Sequence, residues 1–140
     1  QKSIVFDKLM KIMPSVEGKT IALLGLAFKP ETDDMREAPA LTVIEKLLKA
    51  GAKVRVFDPT AMTECKRRIG DTVTYTENLY DCADGADALL LMTEWRQFRL
   101  PTWNVITKVM PGRVIIDGRN IWNREELEGL GYKYTRIGEE

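Results

Sequence analysis

The sequence contains no histidine among its 140 residues. Histidine is the side chain that most often exchanges protons near neutral pH, and it is the commonest metal ligand. A Ser-His or Cys-His catalytic arrangement is therefore impossible within this chain. The two cysteines, Cys65 and Cys82, form no CxxC pair and are too few for a disulfide framework. No zinc site is predicted, and such sparse cysteine usage is typical of a reducing compartment.

Net charge is also absent, because 21 Lys and Arg residues balance 21 Asp and Glu residues. Nothing attracts the chain as a whole to nucleic acid or to an anionic membrane, so neither partner is predicted and any phosphate site must be local. The longest apolar runs, Ile21–Phe28 and Ala88–Met92, are far shorter than the roughly 20 residues of a membrane-spanning helix. Without a signal-peptide pattern at the N-terminus, we expect a cytoplasmic location.

The segments that are present alternate between short apolar runs and amphipathic stretches. This alternation predicts an α/β fold, a Rossmann-like three-layer sandwich with a mainly parallel sheet covered on both faces. The length and the 44% hydrophobic content fit one domain with its own core. Strands are predicted at 21–25, 53–57, 73–75, 88–92, 113–117 and 133–137, and helices at 39–50, 61–69, 77–82, 103–110 and 123–130.

The first residues of the chain differ from this alternation. Apolar side chains recur there at loose helical spacing, at Ile4, Val5, Leu9 and Ile12. No helix start signal precedes them, so we interpret residues 1–17 as the end of an interdomain helix and its linker, and residues 18–140 as the domain itself. We expect this apolar face to lack part of its partners and either to pack on a neighbouring copy or to fray.

Ligands of an open parallel sheet bind beyond the carboxyl ends of its strands. Residues 25–36 follow the first predicted strand, where a dinucleotide-binding fold has its phosphate loop. The GxGxxG spacing is absent, since Gly25 is followed by bulky Leu26 and Phe28. A standard dinucleotide fingerprint is thereby excluded, whereas a nucleotide held by side chains, with Lys29 and Arg36 as cations, stays open.

Two further segments follow strands at the same edge. Asp58, before Pro59, has the place of a ribose-binding acidic residue, but we favour a turn-forming role for it. In Asp117–Asn120, the planar fork of Arg119 suits a diphosphate or a carboxylate, and Gly118 permits a close approach. A surface turn is an equally good interpretation of that segment.

Other candidates favour structural interpretations. Asp33 and Asp34 have the chemistry of magnesium ligands, but an ion-paired loop with the nearby Arg36 is the favoured reading. Trp95 lies in Thr93–Trp95 at the same edge and is interpreted as a packing residue. Packing is likewise predicted for Trp103 and Trp122.

Residues 25–39 closely resemble the opening of the C-terminal, UDP-binding domain of the UDP-glucose 6-dehydrogenase family; they read Gly-Leu-Ala-Phe-Lys-Pro-Glu-Thr-Asp-Asp-Met-Arg-Glu-Ala-Pro. The similarity continues in family order and spacing through Val56–Pro59, Gly85–Ala88, Thr93–Trp95 and Ile116–Asn120. It covers residues 18 to about 138. Taken together, these motifs are far more specific than any one of them.

The resemblance implies roles for individual residues. Phe28 and Lys29 match the substrate-contacting pair of the family, Arg119 matches an arginine that contacts the sugar nucleotide, and Arg36 matches one that reaches NAD. Family members oxidise the C6 alcohol of UDP-glucose to a carboxylate with NAD, through a thioester on a cysteine. Neither cysteine of this chain lies in a loop that resembles the family's catalytic one.

The NAD-binding domain and the central helical segment of the family are missing from this sequence. The resemblance therefore implies a UDP-sugar-binding part of an NAD-dependent, homo-oligomeric enzyme, inactive by itself, with no catalytic or metal-binding residues. NAD would be bound mainly by the missing domain. Two alternatives stay open: a domain of a UDP-N-acetylhexosamine or GDP-mannose dehydrogenase, or a stand-alone nucleotide-binding module without catalysis.

Overall fold

The computed structural model of the chain describes residues 2–138, which form one six-stranded sheet flanked by helices. The strands are β1 (Thr20–Leu24), β2 (Lys53–Phe57), β3 (Thr74–Tyr75), β4 (Ala88–Leu91), β5 (Val114–Asp117) and β6 (Lys133–Arg136). The helices are α1 (Ile4–Ile12), α2 (Pro39–Lys49), α3 (Met62–Ile69), α4 (Leu79–Ala83), α5 (Trp103–Val109) and α6 (Arg124–Gly129), with a 3₁₀ turn at Arg96–Phe98.

All neighbouring strands are parallel, in the order β3-β2-β1-β4-β5-β6. This is the strand order of a doubly wound nucleotide-binding domain, and its direction of growth reverses between β1 and β4. Leu24 pairs with Phe57 on one side and with Leu91 on the other, and Leu91 pairs with Asp117. The carboxyl ends of the four central strands therefore lie in line and form one edge.

Alternate residues of each strand enter two separate cores. Ile21, Leu23 and Leu90 pack with α1, α2 and α3 on one face of the sheet. Ala22 and Leu89 pack with α4, α5 and α6 on the other face. The predicted Rossmann-like three-layer sandwich is confirmed, with a sheet that is parallel throughout the described residues. No helix within residues 2–138 is both long and apolar enough to span a lipid bilayer.

The predicted helices and strands are all present, with ends that differ by one or two residues. α4 begins at Leu79 because the side chain of Asn78 accepts a hydrogen bond from the Asp81 N–H at 2.8 Å. Asn123 caps α6 in the same way, accepting from the Glu126 N–H at 2.8 Å. Local capping chemistry thus determines where these short helices start.

The apolar stripe of α1 has its partners within the domain. Val5 is 3% exposed and Leu9 is fully buried, both in the core that α2 also enters. The expectation that this face lacks part of its partners is therefore wrong for these two side chains, because their spacing of four residues brings both onto the sheet. Ile4 and Ile12 are partly buried against the same core. The assignment of residues 1–17 to an interdomain helix stays a prediction.

Truncation of Leu9 tests whether α1 belongs to the folded unit. Leu9→Ala is expected to lower the free energy of unfolding by about 2–5 kcal/mol, because it removes a fully buried side chain and leaves a cavity. Leu100→Ala is the matched control, since Leu100 is 94% exposed, and it should change stability by less than about 0.5 kcal/mol. Urea unfolding followed by circular dichroism measures both. Equal, small effects would mean that α1 detaches from the domain.

Candidate functional site

The carboxyl edge of the sheet is organised around the side chain of Asp58, the residue that follows β2. Asp58 is fully buried. Its Oδ2 accepts hydrogen bonds from the Leu26 N–H at 2.7 Å, from the Ala27 N–H at 3.1 Å and from the indole Nε1 of Trp95 at 3.2 Å. One carboxylate oxygen thereby joins the loops that follow β1 and β4 to the end of β2.

The other oxygen of Asp58 closes its own turn. Oδ1 accepts from the Thr60 N–H at 2.9 Å and from the Ala61 N–H at 2.8 Å. The predicted turn-forming role is therefore confirmed. A carboxylate offers about four lone-pair sites, and five donors already surround this one. A ribose hydroxyl consequently finds no free acceptor on Asp58.

The loop after β1 lies directly against the end of β4. Gly25 has a φ of +95°, and a Cβ there would lie 2.5 Å from the Cβ of Thr93. The Oγ1 of Thr93 donates to the Ala27 carbonyl at 2.7 Å, which fixes the loop from its other side. Only glycine fits this contact. The lone glycine of the segment thus serves packing between two loops.

Asp117, at the end of β5, is a second buried carboxylate. It accepts hydrogen bonds from four successive backbone N–H groups, those of residues 119–122, and from the hydroxyl of Tyr134 at 2.6 Å. Burial raises the pKa of Tyr134, and the hydrogen bond to Asp117 acts in the same direction. The surface-turn interpretation is wrong for Asp117, because the loop wraps around its carboxylate.

Arg119 emerges from that loop with its side chain 39% exposed. Its Nε and Nη2 donate to the Oε2 of Glu94, at 3.1 and 2.7 Å. Beside it is a cavity of about 130 Å³, walled by Met92, Gly118 and the start of α1. Ligand pockets usually measure about 300–1,000 Å³. The space beside Arg119 is therefore smaller than a typical ligand pocket, whereas a wider cavity of about 420 Å³ lies beside Asp34 and Arg36.

Arg36 forms a two-pronged ion pair within its own loop. Its Nε donates to Oδ1 of Asp34 at 3.0 Å, and its Nη2 donates to Oδ2 at 2.9 Å. These bonds lower the pKa of Asp34 to about 2 and raise the pKa of Arg36. The ion-paired interpretation is confirmed. Within residues 2–138, no three potential metal-ligating side chains lie together.

Phe28 and Lys29 lie on the outer part of the same loop. Phe28 is a large apolar side chain that is 47% exposed, and Lys29 is also exposed. No carboxylate among the described residues forms an ion pair with Lys29. The exposed ring of Phe28 can pack against a planar base or a sugar. The ammonium group of Lys29, which has no ion-pair partner among the described residues, can bind a phosphate.

The predicted site residues therefore fall into two groups. Phe28, Lys29 and Arg36 share the loop after β1, whereas Arg119 lies in the loop after β5. The end of β4 separates the two loops and connects them, since Thr93 bonds to the first and Glu94 to Arg119. Sequence reasoning gave Glu94 little weight. The strand register shows why Glu94 lies near Arg119: Leu91 pairs with Asp117, so the residues that follow these two lie side by side.

The cysteines and tryptophans occupy the interior. Cys65 and Cys82 are both fully buried. Burial raises the pKa of both thiols, that of Cys82 to about 12, so neither is a nucleophile near neutral pH. The three tryptophans are at most 7% exposed, and the Trp103 and Trp122 rings pack edge to face at 4.9 Å. The predicted packing role of the three tryptophans is confirmed.

The strand order defines a Rossmann-like domain. Its carboxyl edge is lined by side chains and lacks a glycine-rich phosphate loop. The chain belongs to the UDP-glucose/GDP-mannose dehydrogenase family, whose UDP binding domain matches residues 22–124. UDP-glucose 6-dehydrogenase TuaD of Bacillus subtilis (strain 168) is 41% identical over 138 residues, covering 99% of this chain and 30% of that protein. The chain spans about 30% of the length of the curated relatives it matches.

Solved structures show the same similarity. The UDP-glucose dehydrogenase of the hyperthermophilic archaeon Pyrobaculum islandicum superposes with a TM-score of 0.80 at 32% identity, over 96% of this chain and 28% of that one. The NDP-N-acetyl-D-galactosaminuronic acid dehydrogenase of Methanosarcina mazei Go1 superposes with a TM-score of 0.82 at 29% identity, over 99% of this chain and 29% of that one. Both likenesses extend across nearly the whole of this chain.

Removal of the Asp58 carboxylate is expected to be strongly destabilising. Asp58→Ala leaves several buried N–H groups without an acceptor, so the free energy of unfolding should fall by about 3 kcal/mol or more. Asp71→Ala is the control, because Asp71 is exposed and its ion pair with Lys66 lies at the surface; it should cost less than about 1 kcal/mol. Denaturant titrations compare the two. If Asp58→Ala is no worse than Asp71→Ala, Asp58 does not hold the edge together.

Proposed function

We propose that this chain is the UDP-sugar-binding domain of an NAD-dependent UDP-glucose 6-dehydrogenase, an enzyme that oxidises UDP-glucose to UDP-glucuronate. The main support for this proposal is the match of residues 22–124 to the family's UDP binding domain. The relatives named UDP-glucose 6-dehydrogenase, at up to 41% identity, support this choice of substrate. The exposed cations at the carboxyl edge supply the chemistry for a nucleotide diphosphate.

Three residues carry the proposed binding of the nucleotide sugar. Lys29 has no competing carboxylate among the described residues, so its ammonium group is available to a phosphate oxygen. Arg119 still has the Nη1 side of its guanidinium unengaged by the described residues. The exposed ring of Phe28 packs against the planar or sugar part of the ligand.

NAD is proposed to bind mainly to a part of the enzyme outside this chain. The amide groups that follow β1 donate to Asp58, and a glycine-rich loop is lacking, so the edge offers no dinucleotide cradle. Arg36, exposed and held by Asp34, is the proposed contact to that cofactor. The buried, protonated thiols cannot serve as the nucleophile of the oxidation. The chain by itself is therefore inactive.

A second candidate substrate is a UDP-N-acetylhexosamine or GDP-mannose. The similarity to the Methanosarcina mazei enzyme, whose TM-score is 0.82, favours this alternative at the level of the fold. The described edge is proposed to hold the nucleotide, with the hexose read largely by other parts of the enzyme. We further propose a cytoplasmic, homo-oligomeric parent; the two free, buried thiols support a reducing compartment.

Kinetics of the complete dehydrogenase test these assignments. Lys29→Ala and Arg119→Ala should each raise KM for UDP-glucose by about 10- to 100-fold, because each removes a charge-assisted hydrogen bond to the ligand. Arg36→Ala should instead raise KM for NAD. Lys53→Ala is the control, since this exposed lysine begins β2 at the opposite edge of the sheet. Equal, small effects of all the variants on both substrates would contradict the assigned roles.

A further inference from the structure

Glu94 occupies the gap between the two loops of the site. It follows Thr93 at the end of β4, and its Oε2 alone accepts both the Nε and the Nη2 hydrogen bonds of Arg119. This contact engages one side of the planar guanidinium. Nη1, at the other side, has no hydrogen-bond partner among residues 2–138. The carboxylate thus holds Arg119 by one side and leaves the other for a ligand.

The second oxygen of Glu94 shows that this contact is not a simple surface ion pair. The Glu94 side chain is only 20% exposed, and its Oε1 is buried without a hydrogen-bond partner among the described residues. Burying a carboxylate with an unsatisfied oxygen opposes stability. Among the described residues, Arg119 is the hydrogen-bond partner of this carboxylate, through Oε2 alone. Holding the Arg119 side chain is thus the contact that offsets part of the cost of burying Glu94.

The main chain on both sides of this contact is held by hydrogen bonds. The Arg119 N–H donates to Oδ1 of Asp117 at 3.0 Å, and the N–H of Trp95, next to Glu94, donates to the Thr93 carbonyl at 3.0 Å. These main-chain bonds leave the long side chain of Arg119 free to rotate. Because Glu94 restricts that side chain before a ligand arrives, less conformational entropy is lost when the ligand binds.

We propose that Glu94 is a positioning residue, which aims the guanidinium of Arg119 at the diphosphate of a bound nucleotide. This inference rests on the proposed function, because it needs an anionic nucleotide at the edge. Its predicted effect on ligand affinity is opposite in sign to the effect that charge alone would have. Removing a negative charge beside an anionic ligand should strengthen binding if charge alone mattered, whereas loss of positioning weakens it.

Calorimetric titration of this chain with UDP tests the proposal. Glu94→Gln and Glu94→Asp should each weaken UDP binding by about 5- to 10-fold, the first because the charge-assisted bond is lost and the second because the carboxylate no longer reaches Arg119. Glu17→Gln is the control, since it makes the same charge change at an exposed position before β1, at the other edge of the sheet. It should leave the affinity unchanged.

A double-mutant cycle shows whether Glu94 acts through Arg119. In the Arg119→Ala background, Glu94→Gln should weaken UDP binding no further. Circular dichroism of each variant identifies any that fails to fold, and Glu94→Asp retains the charge if Glu94→Gln unfolds. Tighter binding by Glu94→Gln, unchanged binding by Glu94→Asp, or additive losses in the double variant would each overturn the positioning role.

The same titrations separate this inference from the proposed function. If the unaltered chain binds UDP and Arg119→Ala weakens that binding, the site is supported whatever Glu94 does. If neither the unaltered chain nor the complete dehydrogenase binds UDP, the proposed nucleotide site is overturned, and the role of Glu94 is overturned with it.

Discussion

The carboxylate of Asp58 determines what kind of ligand edge this fold presents. In a dinucleotide-binding domain, the backbone N–H groups after the first strand face the pyrophosphate. Here two of them, those of Leu26 and Ala27, donate to the buried Asp58 instead. A protein carboxylate thus takes the N–H groups that a bound anion would use. An anionic ligand at this edge therefore cannot use these two N–H groups, and exposed side chains such as Lys29 and Arg119 offer it positive charge instead.

The layers of the fold are predictable from the sequence because their signals are local. Continuous apolar runs such as Ile21–Leu24 indicate strands buried on both faces, and Asn123 indicates the start of a helix through its own side chain. The position of α1 is different. The spacing of Val5 and Leu9 predicts a helix, but the surface that covers them is formed by distant elements, so their burial does not follow from the pattern.

The contacts of the candidate site likewise divide into local ones, which the sequence predicts, and long-range ones, which it does not. The ion pair of Arg36 with Asp34 joins residues two apart and is anticipated correctly. The contact of Arg119 with Glu94 joins residues 25 apart, and that of Asp58 with Leu26 joins residues 32 apart. Such contacts depend on strand order and register, which local patterns do not specify. The resemblance to a family predicts which residues bind the nucleotide, whereas the structure shows what holds those residues in place.

The central claim is that the loops after β1 and β5 bind one nucleotide together. Proton–nitrogen correlation spectra of this chain, recorded as UDP is added, test it most directly. The account predicts that the amides of residues 25–36 and 117–122 and the indole of Trp95 shift along one binding curve, while amides at the amino ends of β1 and β2 stay unchanged. Shifts confined to one of the loops, or centred elsewhere on the domain, would contradict it.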